Sequence, residues 1–310
     1  MKYCYNIFGL KIGSAIKLGP YPLSEKHKEY DVKIYSQKIT KPRANQDHVI
    51  YKPGSCYTDK FFYLDIQDIA RYKIEGSDTV YIQKHKNGTW KDAITFFLDT
   101  VLTVLLIKNN KFIFHASAVL LKGKAYIFCC GAGNGKSTLA MFLNRRGFKI
   151  IEDDKCLIEW DESKGDFFIK NGYPFLELWK PQVNPLRKEI KDKSVGKVRN
   201  NIKKYRFDIS DLVPKKKFPV GKIFLIALDN YDNEDIIKTE LKGIHKINTI
   251  IKFSHLDYLI NALGKGKDHF NFIAKVSSKL HVEKVSRSRL TKFNDFSTFI
   301  INDISVSTTN

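Results

Sequence analysis

The stretch Gly131 to Ala140, Gly-Ala-Gly-Asn-Gly-Lys-Ser-Thr-Leu-Ala, constrains the fold of this chain more than any other. It follows the apolar run Ala125 to Cys130, a buried-strand signal, and leads into Leu139, Ala140, Phe142 and Leu143 at helical spacing. In a strand, glycine loop and helix of this order, backbone N–H groups turn inward around phosphate oxygens and the helix N-terminus adds partial positive charge. The residues expected to hold a nucleoside triphosphate are therefore Gly131, Ala132, Gly133, Asn134, Gly135, Lys136, Ser137 and Thr138. Lys136 would reach the terminal phosphates, and Ser137 would ligate magnesium. One position departs from the G-x-x-x-x-G-K-S/T pattern: its first glycine falls at residue 130, where this chain has Cys130.

Both flanks of the loop add detail. Upstream, Phe114-His115-Ala116-Ser117-Ala118-Val119 opens an apolar strand, which Lys122-Gly123-Lys124 turns back into the strand feeding the loop. Downstream, Arg145-Arg146-Gly147 ends the helix at a glycine cap, and a short apolar strand then carries Asp153 and Asp154 at its tip. Taken together these segments resemble the HPr kinase/phosphorylase superfamily. The closer resemblance is to HPr-kinase-like proteins encoded beside lasso-peptide and other peptide-modification genes, in which the hairpin begins His-Ala-Ser-Ala. Tyr5-Asn6-Ile7-Phe8-Gly9-Leu10 and Tyr173-Pro174-Phe175-Leu176-Glu177-Leu178-Trp179 look like two further segments of that branch.

The resemblance implies an α/β fold: a P-loop, HPr-kinase-like (PEP-carboxykinase-like) core preceded by a small β-rich domain. It implies ATP and Mg²⁺ as cofactors and transfer of a phosphoryl group to a serine or other hydroxyl on a peptide or small protein, a lasso-type precursor peptide among the candidates. Two alternatives stay open, an HPr-type carbohydrate-regulation kinase and a non-catalytic nucleotide-binding regulator. By the same resemblance Asp153 would be the catalytic base, Asp154 would reach magnesium with Ser137 and Glu177, and His115 would orient Asp153; Lys136 completes the catalytic set. Read from the residues alone, either aspartate could be a turn or capping residue, and His115 could be a satisfied core histidine. In true HPr kinases the segment at Glu177 continues Arg-Gly, whereas here Trp179-Lys180 follows Leu178. That departure speaks against phosphorylase activity and against HPr as acceptor.

Charge gives the other broad signal, a formal net charge of +20. Between Lys180 and Lys222 there are 14 basic residues against four acidic ones. An anionic partner, such as an acidic peptide, is one reading and a solvated lysine-rich loop the other. Lys203, Lys204 and Arg206 are the candidates for contacting transferred phosphate. No nucleic-acid recognition motif accompanies the basic run. Five cysteines without metal-ligand spacing suit a reducing compartment, the N-terminus lacks a secretory pattern, and the apolar stretch Phe96 to Ile107 is too short to span a bilayer; a cytoplasmic enzyme is expected. That stretch reads as a buried helix. Short apolar runs at Val32 to Tyr35, Phe61 to Ile66 and Val80 to Ile82 predict a β-rich domain over residues 1–88, with the kinase-like domain over 89–310 and helices from His255 on. A homo-oligomer is compatible with all of this.

Overall fold

The structure is a computed structural model that describes residues 1–42, 49–50, 54–58, 60–131, 133–170, 172, 174–183, 188–199, 202–213, 217–229, 232 and 234–306. It is a mixed α/β protein that divides into two compact units. The first comprises Met1–Ile113, Lys197–Lys203 and His255–Phe272, and the second Phe114–Gly196, Lys204–Ser254 and Ile273–Asn310.

Among the described residues the first unit carries eight strands: β1 (Tyr3–Ile7), β2 (Leu10–Ser14), β3 (Val32–Ser36), β4 (Val49–Ile50), β5 (Ser55–Tyr57), β6 (Phe61–Ile66), β7 (Ala70–Glu75) and β8 (Thr79–Lys84). They form one sheet in the order β1-β2-β3-β8-β7-β6-β5-β4. In β7 the period of two is plain, with Ala70, Tyr72 and Ile74 buried and Arg71, Lys73 and Glu75 turned toward solvent. The expected apolar helix follows as α1 (Trp90–Phe96), a π-helical turn over Phe97–Val101 and α2 (Leu102–Lys108). Thr89 caps it by accepting the Asp92 N–H at 3.1 Å. This helix stays with the sheet because the buried Tyr72 hydroxyl donates to the Ala93 carbonyl at 2.7 Å and Asn109 Nδ2 donates to the Ser77 carbonyl at 2.7 Å. The division between units therefore falls after Ile113, not near residue 88.

After β9 (Ile113–Phe114), the second unit is built from β10 (Ala116–Leu121), β11 (Lys124–Cys130), α3 (Lys136–Arg145), β12 (Lys149–Glu152), β13 (Cys156–Asp161) and β14 (Asp166–Lys170). Next come β15 (Phe175–Trp179), the one-turn helices α4 (Lys180–Val183) and α5 (Lys188–Lys191), β16 (Ser194–Lys197), β17 (Lys204–Asp208), β18 (Phe218–Leu228), β19 (Ile236–Glu240) and α6 (Gly243–Ile251). The chain then runs through α7 (Asp257–Ile260) and α8 (Gly266–Lys279) to β20 (Val282–Arg287) and α9 (Phe293–Val306).

The main sheet of the second unit runs β12-β10-β11-β18-β14-β13, with β20 pairing β18 and β19. Its β10–β11 hairpin turns through Lys122 and Gly123, both at positive φ, which suits the twist of the strands. Helix α3 ends as expected at Gly147 (φ 93°), where the Phe148 N–H returns to the Leu143 carbonyl at 3.2 Å. β11, β18 and β20 run parallel, so their C-terminal ends share one edge of the sheet. A smaller sheet, β15-β17-β16, sets Glu177 opposite Arg206 and Trp179 opposite Lys204.

The helices expected from His255 onward are present, but β20 interrupts them. Its core face gave little warning, because Glu283 and Ser286 are buried along with Val282 and Val285 and no alternation survives. Burial of Glu283 is offset by Lys222, 2.7 Å away, which also reaches Asp303 of α9 at 2.5 Å. This ion cluster ties α9 to β18 and β20. All five cysteines are free thiols. No helix among the described residues is long and apolar enough to cross a membrane.

Candidate active site

Cys130 closes β11 in a buried position, and the chain then turns through the glycine loop into α3. Gly133 and Gly135 have φ of 80° and 94°, a region that costs a residue with a Cβ roughly 1 kcal/mol or more. The Asn134 N–H donates to the Gly131 carbonyl at 3.2 Å, folding the loop back on itself. Gly135 is the N-cap of α3, and the helix starts at Lys136 and Ser137. Its first N–H groups have no carbonyl of their own helix to reach and carry the positive end of the helix dipole. Ala132 lies outside the described residues.

Lys136 is buried, and its Nζ donates to His115 Nε2 at 2.7 Å. With Nε2 as acceptor, the neutral imidazole carries its proton on Nδ1. The pairing of Ala118 with Glu152 brings the end of β12, and Asp153 after it, beside β10. Asp153 is 1% exposed. Its Oδ1 accepts from Ser117 Oγ at 2.5 Å and Ser137 Oγ at 3.0 Å, and its Oδ2 from the Glu177 N–H at 3.2 Å. Burial pushes its carboxyl above the ordinary aspartate range, against the pull of Lys136 and the Ser117 hydroxyl, while the neighbouring Asp154 adds to the rise.

Asp154 faces a different set of groups. It adopts left-handed backbone (φ 75°). Its Oδ2 accepts from the buried Lys155 at 2.9 Å, and its Oδ1 lies 3.9 Å from His115 Nε2. Its side chain is 20% exposed, so of the two carboxylates it is the one that solvent and a second substrate can reach.

Glu177 is held by cations. Arg206 Nε and Nη2 reach Oε1 at 2.9 and 2.7 Å, and Lys204 Nζ reaches Oε2 at 2.9 Å. Burial alone would raise this carboxyl, but Lys204 and Arg206 together hold it below the ordinary glutamate range. Lys204 is in turn held above the usual lysine value by Glu177, in spite of burial.

One site thus gathers His115, Lys136, Ser137, Asp153, Asp154, Glu177, Lys204 and Arg206. Its internal wiring adds contacts that the sequence did not show. His115 Nε2 accepts from Lys136 and lies 3.9 Å from Asp154 Oδ1. Of the residues expected to hold magnesium, the Ser137 hydroxyl donates to Asp153, Asp154 accepts from Lys155, and both Glu177 oxygens are engaged by cations. Lys203 belongs to the segment that groups with the first unit. The basic run is also partly consumed internally, since Lys193 pairs with Asp211, Lys204 and Arg206 with Glu177, and Lys222 with Glu283 and Asp303. Ser117 and Lys155 were missed from the sequence. A serine two residues beyond His115 in an apolar strand, hence on the same face, was the available signal for Ser117.

No protein-family model matches the chain, and no curated protein sequence matches it. Among solved structures, the Hpr(Ser) kinase/phosphatase from Coxiella burnetii is similar at 12% sequence identity with a TM-score of 0.31, over 62% of this chain and 95% of that chain. At that level the likeness leaves function to be argued from the site itself.

Proposed function

We propose that this protein is a kinase that transfers the γ-phosphoryl group of ATP to a hydroxyl, a serine on a peptide or small protein. The observation that carries the reading is the convergence of the glycine loop, Lys136 and Ser137 on a buried carboxylate, Asp153, with a second, accessible carboxylate, Asp154, beside it. Phosphoryl transfer asks a protein for little covalent chemistry. It asks for a cradle of N–H groups and a lysine for the phosphates, a carboxylate on the metal side, and a carboxylate that takes the proton of the attacking hydroxyl.

The residues present fit a magnesium ion. A P-loop serine hydrogen-bonded to a buried aspartate offers two hard oxygen donors, and phosphate oxygens and water would complete the shell. Among the described residues no three acidic, histidine or cysteine side chains form a ready-made metal cluster, which suits a cation held largely by its substrate. When bound, magnesium would neutralise charge developing on the phosphate oxygens.

The chain's own residues divide the remaining work. Lys136 turns its ammonium to the terminal phosphates, and the N-terminus of α3 binds their oxygens. Asp153, held by Ser117, Ser137 and the Glu177 N–H and 1% exposed, lies beside the P-loop serine and serves the metal side. Asp154, reachable and opposite His115, accepts the hydroxyl proton. For a general base, reach comes before pKa, and Asp153 lacks reach. This exchanges the two roles that the resemblance implies. The sheet face bearing Glu177, Lys204 and Arg206 ends in Trp179, 52% exposed, and offers the acceptor peptide an apolar ledge beside two cations.

The test is single-turnover transfer from γ-labelled MgATP to a peptide library, with Lys136→Ala as control. The expected result is a labelled peptide with wild-type protein and loss of at least about a hundredfold with Lys136→Ala, at an unchanged melting temperature. Equal turnover by the two proteins refutes the reading.

A further inference from the structure

The edge of the sheet that carries the glycine loop also carries the end of β20. Leu228 pairs with Arg287 two residues beyond the point where Ile226 pairs with Cys130, so Arg287 projects from the same edge. A methyl group built on Gly135 would lie 3.8 Å from Arg287 Nη2 and 3.2 Å from the ring of Phe293. The guanidinium is therefore a direct neighbour of the loop.

Its position is fixed from the far side by α9. The guanidinium carbon lies 5.4 Å from the ring centre of Phe293 and 5.3 Å from that of Phe296. Phe293 packs in turn on Phe142 of α3, with ring centres 4.9 Å apart, and Arg146 at the end of α3 donates to Asn294 Oδ1 at 2.9 Å. Packing accounts for where Arg287 sits. It does not account for the charge.

Among the described residues no carboxylate pairs with Arg287. It makes a long hydrogen bond, 3.3 Å from Nη1 to the adjacent Ser288 carbonyl, and its buried Nε has no partner among the described residues. Burial pulls the group below its ordinary value, the direction expected of a cation that gives up water without receiving an anion. Leaving a buried guanidinium donor unpaired is costly, and the structure holds it there with two aromatic rings, Phe293 and Phe296. An anion seated in the loop would repay that cost.

We infer that Arg287 is a phosphate-binding residue of the same site, a guanidinium supplied within the chain that grips the polyphosphate from the Gly135 side while Lys136 holds it from the other. The inference rests on the nucleotide reading given above. A guanidinium fork can donate to two phosphate oxygens at once, which an ammonium in the same place cannot do.

The experiment is calorimetric titration of the full chain and of Arg287→Met, Arg287→Lys and Lys136→Ala with MgATP and with inorganic tripolyphosphate, which has no base. Arg287→Met is expected to weaken both ligands at least tenfold, and Arg287→Lys to fall between it and wild type. A purely structural role would lower the melting temperature of Arg287→Met and leave both affinities within threefold of wild type, which would overturn the inference while Lys136→Ala still showed its loss. If wild-type protein binds neither ligand, the nucleotide reading itself fails and this inference with it. Should Arg287→Met melt below the assay temperature, the affinities of Arg287→Lys decide the matter, and wild-type values in that variant count against the inference.

Discussion

Replacing Glu177 by glutamine separates two accounts of that residue. In the structure, Glu177 neutralises Arg206, which is 6% exposed, and Lys204, with three contacts of 2.7–2.9 Å. Glutamine keeps the shape and removes the charge, leaving two cations facing each other across a neutral amide. Removing one partner of a buried ion pair costs about 3–5 kcal/mol. For a unit of this size, that corresponds to a fall in melting temperature of about 6–20 °C. The double variant Glu177→Gln/Arg206→Met should recover most of the loss, because taking out both members of a buried pair is often neutral. The pH dependence has a definite sign. The carboxyl is depressed in the folded state, so its contribution is present above the unfolded glutamate value of about 4.3 and is lost as pH falls through the folded value below it. Wild type and Glu177→Gln should therefore differ most at pH 6–8 and converge in acid. The assay is a series of thermal melts across pH, paired with a magnesium titration of nucleotide binding. A melting temperature within about 2 °C of wild type, together with an altered magnesium response, would refute this reasoning and return Glu177 to the metal-ligand role expected from the sequence.

The other predictions follow from the same wiring. Asp153→Asn should weaken the magnesium dependence of nucleotide binding, whereas Asp154→Asn should bind MgATP like wild type and lose transfer; titration at several magnesium concentrations followed by single turnover reads both, and the reverse pattern would restore the roles implied by resemblance. Cys130→Gly should keep nucleotide affinity within about tenfold, roughly 1.4 kcal/mol, because glycine is the usual residue there; a larger loss by calorimetry means the thiol takes part in binding. Cys129, Cys130 and Cys156 are buried whereas Cys56 is partly exposed, so Ellman's reagent at pH 8 should label Cys56 before these three, which react only on unfolding. Rapid native labelling of Cys130 would contradict that burial.

Local signals carried most of what could be read in advance. The glycine loop, the Lys122-Gly123 turn, the Gly147 cap and the β-runs of the first unit each depend on a few adjacent residues, and each is where the sequence places it. The carboxylate pair was visible as an element, but not that Asp153 is enclosed while Asp154 stays partly exposed. That difference accompanies the left-handed backbone of Asp154 and the register of β12 against β10, neither of which leaves a mark in residue identity. The partition of the chain escaped for a related reason: hydrogen bonds from Tyr72 and Asn109, distant in sequence from one another and from their acceptors, decide which unit α1 and α2 join. β20 was hidden by its own content, since a strand that buries a glutamate and a serine beside two valines shows no apolar alternation, and its partner Lys222 lies 61 residues before Glu283 in the sequence.

The parallel run of β11, β18 and β20 also sets a timetable. A ribosome that has made the β10–β11 hairpin and the glycine loop has still to make β18, the parallel neighbour of β11, and, later again, β20 and α9, which supply Arg287 and Phe293 to the loop. At typical elongation rates the interval is on the order of ten seconds. During it the nascent chain exposes one apolar edge of β11 with no neighbour to cover it, and the loop lacks the ring and the guanidinium that later abut Gly135. The surroundings of the glycine loop are thus completed only by β20 and α9, which are synthesised well after the loop itself.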